Sequence, residues 1–275
     1  MKLKFAAIKR DTKFSPNHVE TDDRIIQSTA AALREKGAEV NIYEECDLNN
    51  GGIKEEFIFN MTRSKAALSY LSSKISSGAF VINSPEAILN CYRENMTRML
   101  PDSGIPFPKN KIIKTGEHQN GSLNGFTNGR IWVKRGDVHA LHREDVAAVF
   151  GPDERDQLLM EFNKRGIEKA VLQQHLEGDV VKFYAVRGTD FFHWYYFDRK
   201  EGIHFSEKKL HEIAIASAEV LGVDIYGGDA VISPDGSIRV IDLNDWPSFA
   251  PVRKHAASVI ADFIFTKAQS FLKQN

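Results

Sequence analysis

Cysteine is scarce in this chain, and what little there is makes no pattern. Cys46 and Cys91 are its two cysteines, too few and too far apart for a disulfide framework or a metal-binding spacing. Both read as structural thiols of a protein in a reducing compartment, which points to the cytoplasm. Net charge is equally scarce, with 36 Lys and Arg against 37 Asp and Glu leaving −1, so no global field recruits nucleic acid or an anionic membrane. Long apolar runs are missing too. The opening MKLKFAAIKRD carries charge on both sides of an apolar stretch too brief for a signal core or a membrane span, and it reads as a first strand. There is no GxGxxG, GxxxxGK[ST], HExxH, CxxC or GxSxG run, so the Rossmann and P-loop routes to a nucleotide find no support, nor do zinc-hydrolase or serine-elbow chemistry. No sustained heptads specify an oligomer.

What is present suits a globular enzyme: 275 residues, 42% hydrophobic and 27% charged, leave room for a sizeable core in one large or two smaller domains. Strand-like and helix-like segments alternate without repeats, giving an α/β (α+β) class. Residues 1–83 read as a small doubly wound unit, with strands at LKFAAI, AEVNIYEE, EEFIFNM and AFVIN, and helices closed by Gly37 and Gly78. Ser84-Pro85 resembles an N-cap followed by proline at the first helical position, so a second unit, 84–275, starts there. Within it, NCYRENMTRMLPD reads as a helix leading to a turn and the strand KNKIIKT, and GEHQNGSLNGFTNG as a turn-rich loop. RIWVK reads as a strand, HREDVAAVF and DERDQLLMEFNKR as helices, and AVLQQHL, DVVKFYAVR and DFFHWYYF as strands of a largely antiparallel sheet. His193, inside the last of these, reads as structural. SEKKLHEIAIASAEVLG then shows helical apolar spacing.

The stretch that carries chemistry is IYGGDAVISPDGSIRVIDLND. Asp235-Gly236 is a favoured two-residue hairpin turn, and pairing Pro234 with Ser237 across it sets Asp229 opposite Asp242. Asn244 projects from the same face as Asp242. Facing carboxylates destabilise a strand pair, so two carboxylates and an amide oxygen on one face make sense as hard ligands for Mg²⁺. A three-residue loop with a bulge would shift this register by one, and acidic residues at solvated strand ends are the plainer alternative. Lys182 shares a strand face with Val180, Tyr184 and Val186, so it cannot simply point to water if that face is buried. Lys134 ends the strand IWVK, where a solvated lysine is the plainer alternative.

In its order of segments the chain resembles the ATP-grasp enzymes. The small α/β unit, INSPEAILNCYRENMTRMLPDSGIPFP, RIWVKR, VLQQHLEGDVVKFYAV and EVLGVDIYGGDAVISPDGSIRVIDLNDWP follow one another as they do in that superfamily. The resemblance implies an ATP-grasp fold with ATP between two antiparallel sheets, a lid subdomain over about 109–175 and a metal-binding subdomain over about 176–275. It implies Mg²⁺, or Mn²⁺ in its place, held by Asp229, Asp242 and Asn244, and Lys134 and Lys182 at the ATP phosphates. Arg93 stands about where relatives carry another phosphate-facing lysine. Gln173, Gln174, His175 and Leu176 become adenine-lining residues, and Glu177 a ribose contact. Arg63 and Arg253 are candidates for the acceptor side. The chain departs from the pattern after Lys134, where RGDVHALHRED replaces a glycine-rich loop; His139 is the residue there that could donate to a phosphate or the acceptor. Asp242 in place of the usual glutamate resembles the inositol polyphosphate kinase branch. The expected activity is a carboxylate ligase acting through an acyl-phosphate on a small-molecule or peptide carboxylate. A small-molecule kinase and a nucleotide-binding module without turnover are the alternatives.

Overall fold

The structure is a computed structural model that describes residues 2–49, 52–117, 126, 129–137 and 141–274. Strands β1 (Lys4–Ile8), β2 (Glu39–Tyr43), β3 (Phe57–Asn60) and β4 (Phe80–Ile82) form a parallel sheet in the order β2-β1-β3-β4. β1 and β3 are apolar nearly throughout because both of their faces are covered. Helix α1 (Val19–Glu35) and the C-terminal helix α7 (Arg253–Gln274) pack on one face through Ile25, Leu33, Ile260 and Ile264. Helix α2 (Lys65–Ser76) covers the other through Ala67 and Leu71. Ser64 caps α2 and Ser84 caps α3 (Pro85–Asn90), each hydroxyl accepting from the backbone N–H three residues on. The helix read over NCYRENMTRMLPD starts only at Arg93, as α4 (Arg93–Asp102), after a break at Cys91 and Tyr92. Tyr92 turns inward there and donates its hydroxyl to the Arg63 carbonyl.

A second, antiparallel sheet has the order β5-β8-β6-β7, from β5 (Asn110–Lys114), β6 (Ile131–Arg135), β7 (Val146–Val149) and β8 (Lys169–Gln174), backed by α5 (Pro152–Lys164). HREDVAAVF, read from sequence as a helix, is a single 3-10 turn at Arg143–Asp145 followed by strand β7. The reason is Asp145. Its carboxylate accepts from Arg135, Arg165 and the backbone N–H groups of Leu141 and His142, which turns the chain and delivers the run Val146–Val149 to the edge of β6. Burial opposes ionisation of that carboxyl, yet these donors hold it down to about 2.

The third sheet, also antiparallel, has the order β10-β9-β11-β12, from β9 (Asp179–Val186), β10 (Phe192–Tyr196), β11 (Ile225–Ile232) and β12 (Ile238–Asp245). Helix α6 (Glu207–Leu221) and α4 cover one of its faces. Asn83, at the end of β4, joins the first sheet to the third: its amide oxygen accepts from the backbone of Asp224 and Ile225, and its amide donates to the Ile225 carbonyl. Among the described residues no helix is long and apolar enough to cross a membrane.

Candidate functional site

The β11–β12 hairpin differs from the sequence reading in two ways that cancel. Its loop holds three residues, Pro234, Asp235 and Gly236, closed by Ser233 and Ser237, with Gly236 at φ +75° where glycine is favoured. That moves the pairing by one, so Ile232 faces Ile238 and Ala230 faces Val240. A bulge then leaves Ile241 unpaired and moves it back, so Asp229 faces Asp242. The bulge frees the Ile241 carbonyl, which accepts at 3.4 Å from the Lys134 ammonium reaching over from the second sheet.

The uncovered face of the third sheet can be read in rows across its strands. One row is Tyr195, Lys182, Asp229 and Asp242; the next is His193, Tyr184, Gly227 and Asn244. This face and the second sheet wall a cleft of about 820 Å³. Lys134, Lys182, Arg93, Arg63, Asp229, Asp242 and Asn244 all line it, as do Gln173, Gln174, His175 and Leu176. Glu177 points outward, joined to His175 Nε2 at 3.1 Å. Arg253 begins α7 and is not among the lining residues. His139 lies outside the described residues.

The charges in this cleft are unevenly matched. Lys182 Nζ donates to both oxygens of Asp229, at 2.8 and 3.1 Å. Burial raises the Asp229 carboxyl; Lys182 opposes that and Asp242 adds to it. Asp242 has a looser partner, with the Arg93 guanidinium 3.6 Å from one oxygen, while its Oδ1 is shielded from solvent without a hydrogen bond. Two facing carboxylates, one with an orphaned oxygen, beside the Asn244 amide fit a hard divalent cation. Among the described residues no group of three His, Cys, Asp or Glu side chains is gathered for a metal, so the amide completes this set. Lys134 is enclosed; burial, then Arg93, lower its ammonium to about 8 against the pull of Asp242 and Asp229.

Several lining residues went unmarked in the sequence. Arg10 follows β1, at the carboxyl end of a strand in a doubly wound sheet, where ligands gather. It is paired with Asp22 at 2.8 Å and donates to the Trp246 carbonyl. Asp245 is buried against Arg63 at 2.7 Å. Trp132 shares a strand face with Lys134, and its indole N–H donates to His175 Nδ1 at 3.1 Å. Tyr184 and Tyr195 bring their hydroxyls within 3.2 Å of each other. His193 lies parallel to the Tyr184 ring, and burial lowers its imidazole.

Gly227 gives the Tyr184 ring its place. A Cβ there would lie 2.7 Å from Tyr184 Cδ1 and 2.8 Å from both the Phe183 carbonyl oxygen and Pro247 Cγ. Gly227→Ala therefore is expected to cost about 2 kcal/mol of stability, through overpacking against a backbone that cannot move aside. Urea denaturation measures it, and a loss under ~0.5 kcal/mol would mean that the strand relaxes freely.

No protein-family profile matches this chain, and no curated protein matches it by sequence. Solved structures do. The D-alanine–D-alanine ligase from Bacillus anthracis complexed with ATP aligns over 100% of this chain and 100% of its own, with TM-score 0.74 and 15% identity. The D-alanine–D-alanine ligase from Coxiella burnetii aligns over 99% of this chain and 97% of its own, with TM-score 0.77 and 12% identity. The ATP-grasp ligase PsnB, complexed with precursor peptide PsnA2 and AMPPNP, aligns over 97% and 98%, with TM-score 0.66 and 16% identity. This chain has the ATP-grasp fold.

Proposed function

We propose that the protein is a magnesium- and ATP-dependent carboxylate ligase, with the nucleotide in the cleft between the two antiparallel sheets. The observation that carries this reading is the gathering of Lys134, Lys182 and Arg93 around the facing carboxylates Asp229 and Asp242 within an ATP-grasp fold. The working units are residues 1–83, about 109–175 as a lid, and about 176–275 as the part carrying the metal ligands. Asp229, Asp242 and Asn244 would hold Mg²⁺, which would supply positive charge to the phosphate oxygens. Lys134, Lys182 and Arg93 offset the charge that spreads over the γ-phosphoryl group during transfer. Gln173, whose side-chain Nε2 is buried without a hydrogen-bond partner among the described residues, and Gln174, His175 and Leu176 line the purine end.

The acceptor carboxylate, from a small molecule or a peptide, attacks the γ-phosphorus, and the bond to the ADP oxygen breaks. An amine or another nucleophile then attacks the acyl carbon and phosphate departs. No protein nucleophile is required. Charge pairing at the acceptor end favours this over the kinase reading: Arg10 is matched by Asp22 and Arg63 by Asp245, so the guanidinium groups there are already neutralised. A polyphosphorylated acceptor wants a dense set of unmatched cations, whereas a carboxylate does not.

The test is ADP release over a panel of carboxylates with and without an amine. Free phosphate formed only when both are present supports a ligase, and phosphate retained on a product supports a kinase. ATP binding without ADP release for any acceptor would leave a binding module. A second consequence concerns protons. Burial lowers the Lys134 ammonium to about 8, and phosphates beside it favour the charged form, so ATP binding near that pH is expected to take up a fraction of a proton. Calorimetry in two buffers of different ionisation enthalpy reads this uptake. An equal uptake by Lys134→Met would assign the proton elsewhere.

A further inference from the structure

Lys182 and Asp229 stand directly opposite each other in the β9–β11 ladder, and the ammonium holds both carboxylate oxygens. A divalent cation bound to Asp229 uses the same lone pairs, so metal and ammonium compete for one carboxylate. Asp242, the other carboxylate of the set, presents an oxygen with no hydrogen-bond partner. The ammonium that holds Asp229 already rests beside an aromatic ring. Lys182 Nζ lies 4.9 Å from the centroid of the Phe197 ring, which is 61% exposed and lines the same cleft. The Lys182 side chain is itself partly exposed, so its head can swing without repacking the sheet.

We propose that Lys182 is an exchangeable counter-ion: it neutralises Asp229 until a divalent cation takes that carboxylate, and the released ammonium passes to the nucleotide phosphates. This rests on the nucleotide and metal site proposed above. Metal alone binds weakly, because it must displace an intramolecular cation. A nucleotide offers the displaced ammonium another anion, so metal and nucleotide each tighten the binding of the other, and by the same factor.

The experiment follows Mn²⁺ alone, by the electron paramagnetic resonance of the free ion, with and without AMPPNP at pH 8, where proton competition for the carboxylates is small. Lys182→Met should bind Mn²⁺ more tightly than wild type without nucleotide, by roughly thirtyfold or more, since a unit charge about 4 Å from a divalent ion opposes it by about that factor even at the dielectric of bulk water. It should also lose most of the gain that AMPPNP gives wild type. Lys182→Arg, which keeps the charge, should stay within about threefold of wild type. Mn²⁺ binding by Lys182→Met no tighter than wild type, in a variant whose thermal melt shows it folded, overturns the exchange. Should that variant not fold, the wild-type protein carrying ¹³Cε-lysine decides: Mg²⁺ without nucleotide must move the Lys182 resonance, and an unmoved resonance at saturating metal overturns the proposal. The two readings fail differently. No Mn²⁺ bound by wild type even with AMPPNP sinks the site and the exchange together, whereas Mn²⁺ bound with AMPPNP but indifferent to Lys182 sinks the exchange alone.

Discussion

Asp242→Asn is expected to lower magnesium-dependent ATP turnover roughly a thousandfold or more while leaving the protein folded. The two halves of this prediction have one cause. Asp242 faces Asp229 across the hairpin and carries a shielded oxygen with no hydrogen-bond partner among the described residues, so the two facing carboxylates repel and no hydrogen bond depends on that oxygen. Replacing it with a neutral isostere relieves the repulsion, and the melting temperature should hold within a few degrees of wild type or rise. The same change removes the anionic ligand best placed to take a cation, because the nearest guanidinium, on Arg93, stands 3.6 Å away. The paired measurement is a thermal melt beside ADP release in the presence of the acceptor. Unchanged turnover would remove Asp242 from the metal site, and a collapsed melting temperature would mean that the carboxylate is structural.

Lys134→Met should separate stability from function in the same sense, with a larger gain in stability. Burial and Arg93 lower the ammonium from 10.5 to about 8, so carrying the charge at neutral pH costs the folded protein about 3 kcal/mol. An apolar side chain of similar length removes that cost, and the variant should be more stable than wild type by about 1–3 kcal/mol at pH 7. The sign of the pH dependence follows. Below pH 8 both the folded and the unfolded chains hold the proton and the penalty is fully present. Between pH 8 and 10.5 the unfolded chain binds more protons than the folded one, so wild-type stability gains with pH and its deficit against the variant closes. Turnover should fall roughly a hundredfold or more, because a localised charge at the phosphates is lost. Urea denaturation at pH 7 and pH 9.5 checks the first part. A Lys134→Met protein less stable than wild type at pH 7 would show that the ammonium is well paired after all.

How much of this was legible from residues alone depended on whether a contact was local. The strand and helix alternation, the Ser84-Pro85 helix start and the antiparallel pairing of β11 with β12 follow from periodicity and turn residues, which act over a few positions. The helix read over HREDVAAVF failed because Arg135 and Arg165 hold Asp145 from outside that segment, and tertiary contacts outrank local propensity. The hairpin succeeded by compensation. The loop holds one residue more than Asp235-Gly236 turn chemistry suggests, and the Ile241 bulge restores the facing of Asp229 and Asp242. Nothing local announces that bulge, although it frees the carbonyl that Lys134 reaches. Lys182 was legible because an ammonium on an apolar strand face needs a partner, and Asp229 is that partner. Arg10, Asp22 and Tyr195 were not, since each acquires its place by packing elements distant in the chain. Arg253 shows the converse: it follows the acidic hairpin closely in sequence, but the first turn of α7 carries it away from the cleft lining.

The most direct test of the account is a calorimetric titration of ATP into the protein with and without Mg²⁺, run beside the Asp229→Asn, Asp242→Asn double variant. ATP binding should tighten with Mg²⁺ in wild type and lose that magnesium dependence in the folded double variant. Binding indifferent to Mg²⁺, or equally magnesium-dependent in the double variant, would contradict the assignment of the facing carboxylates as the metal-holding centre of the cleft.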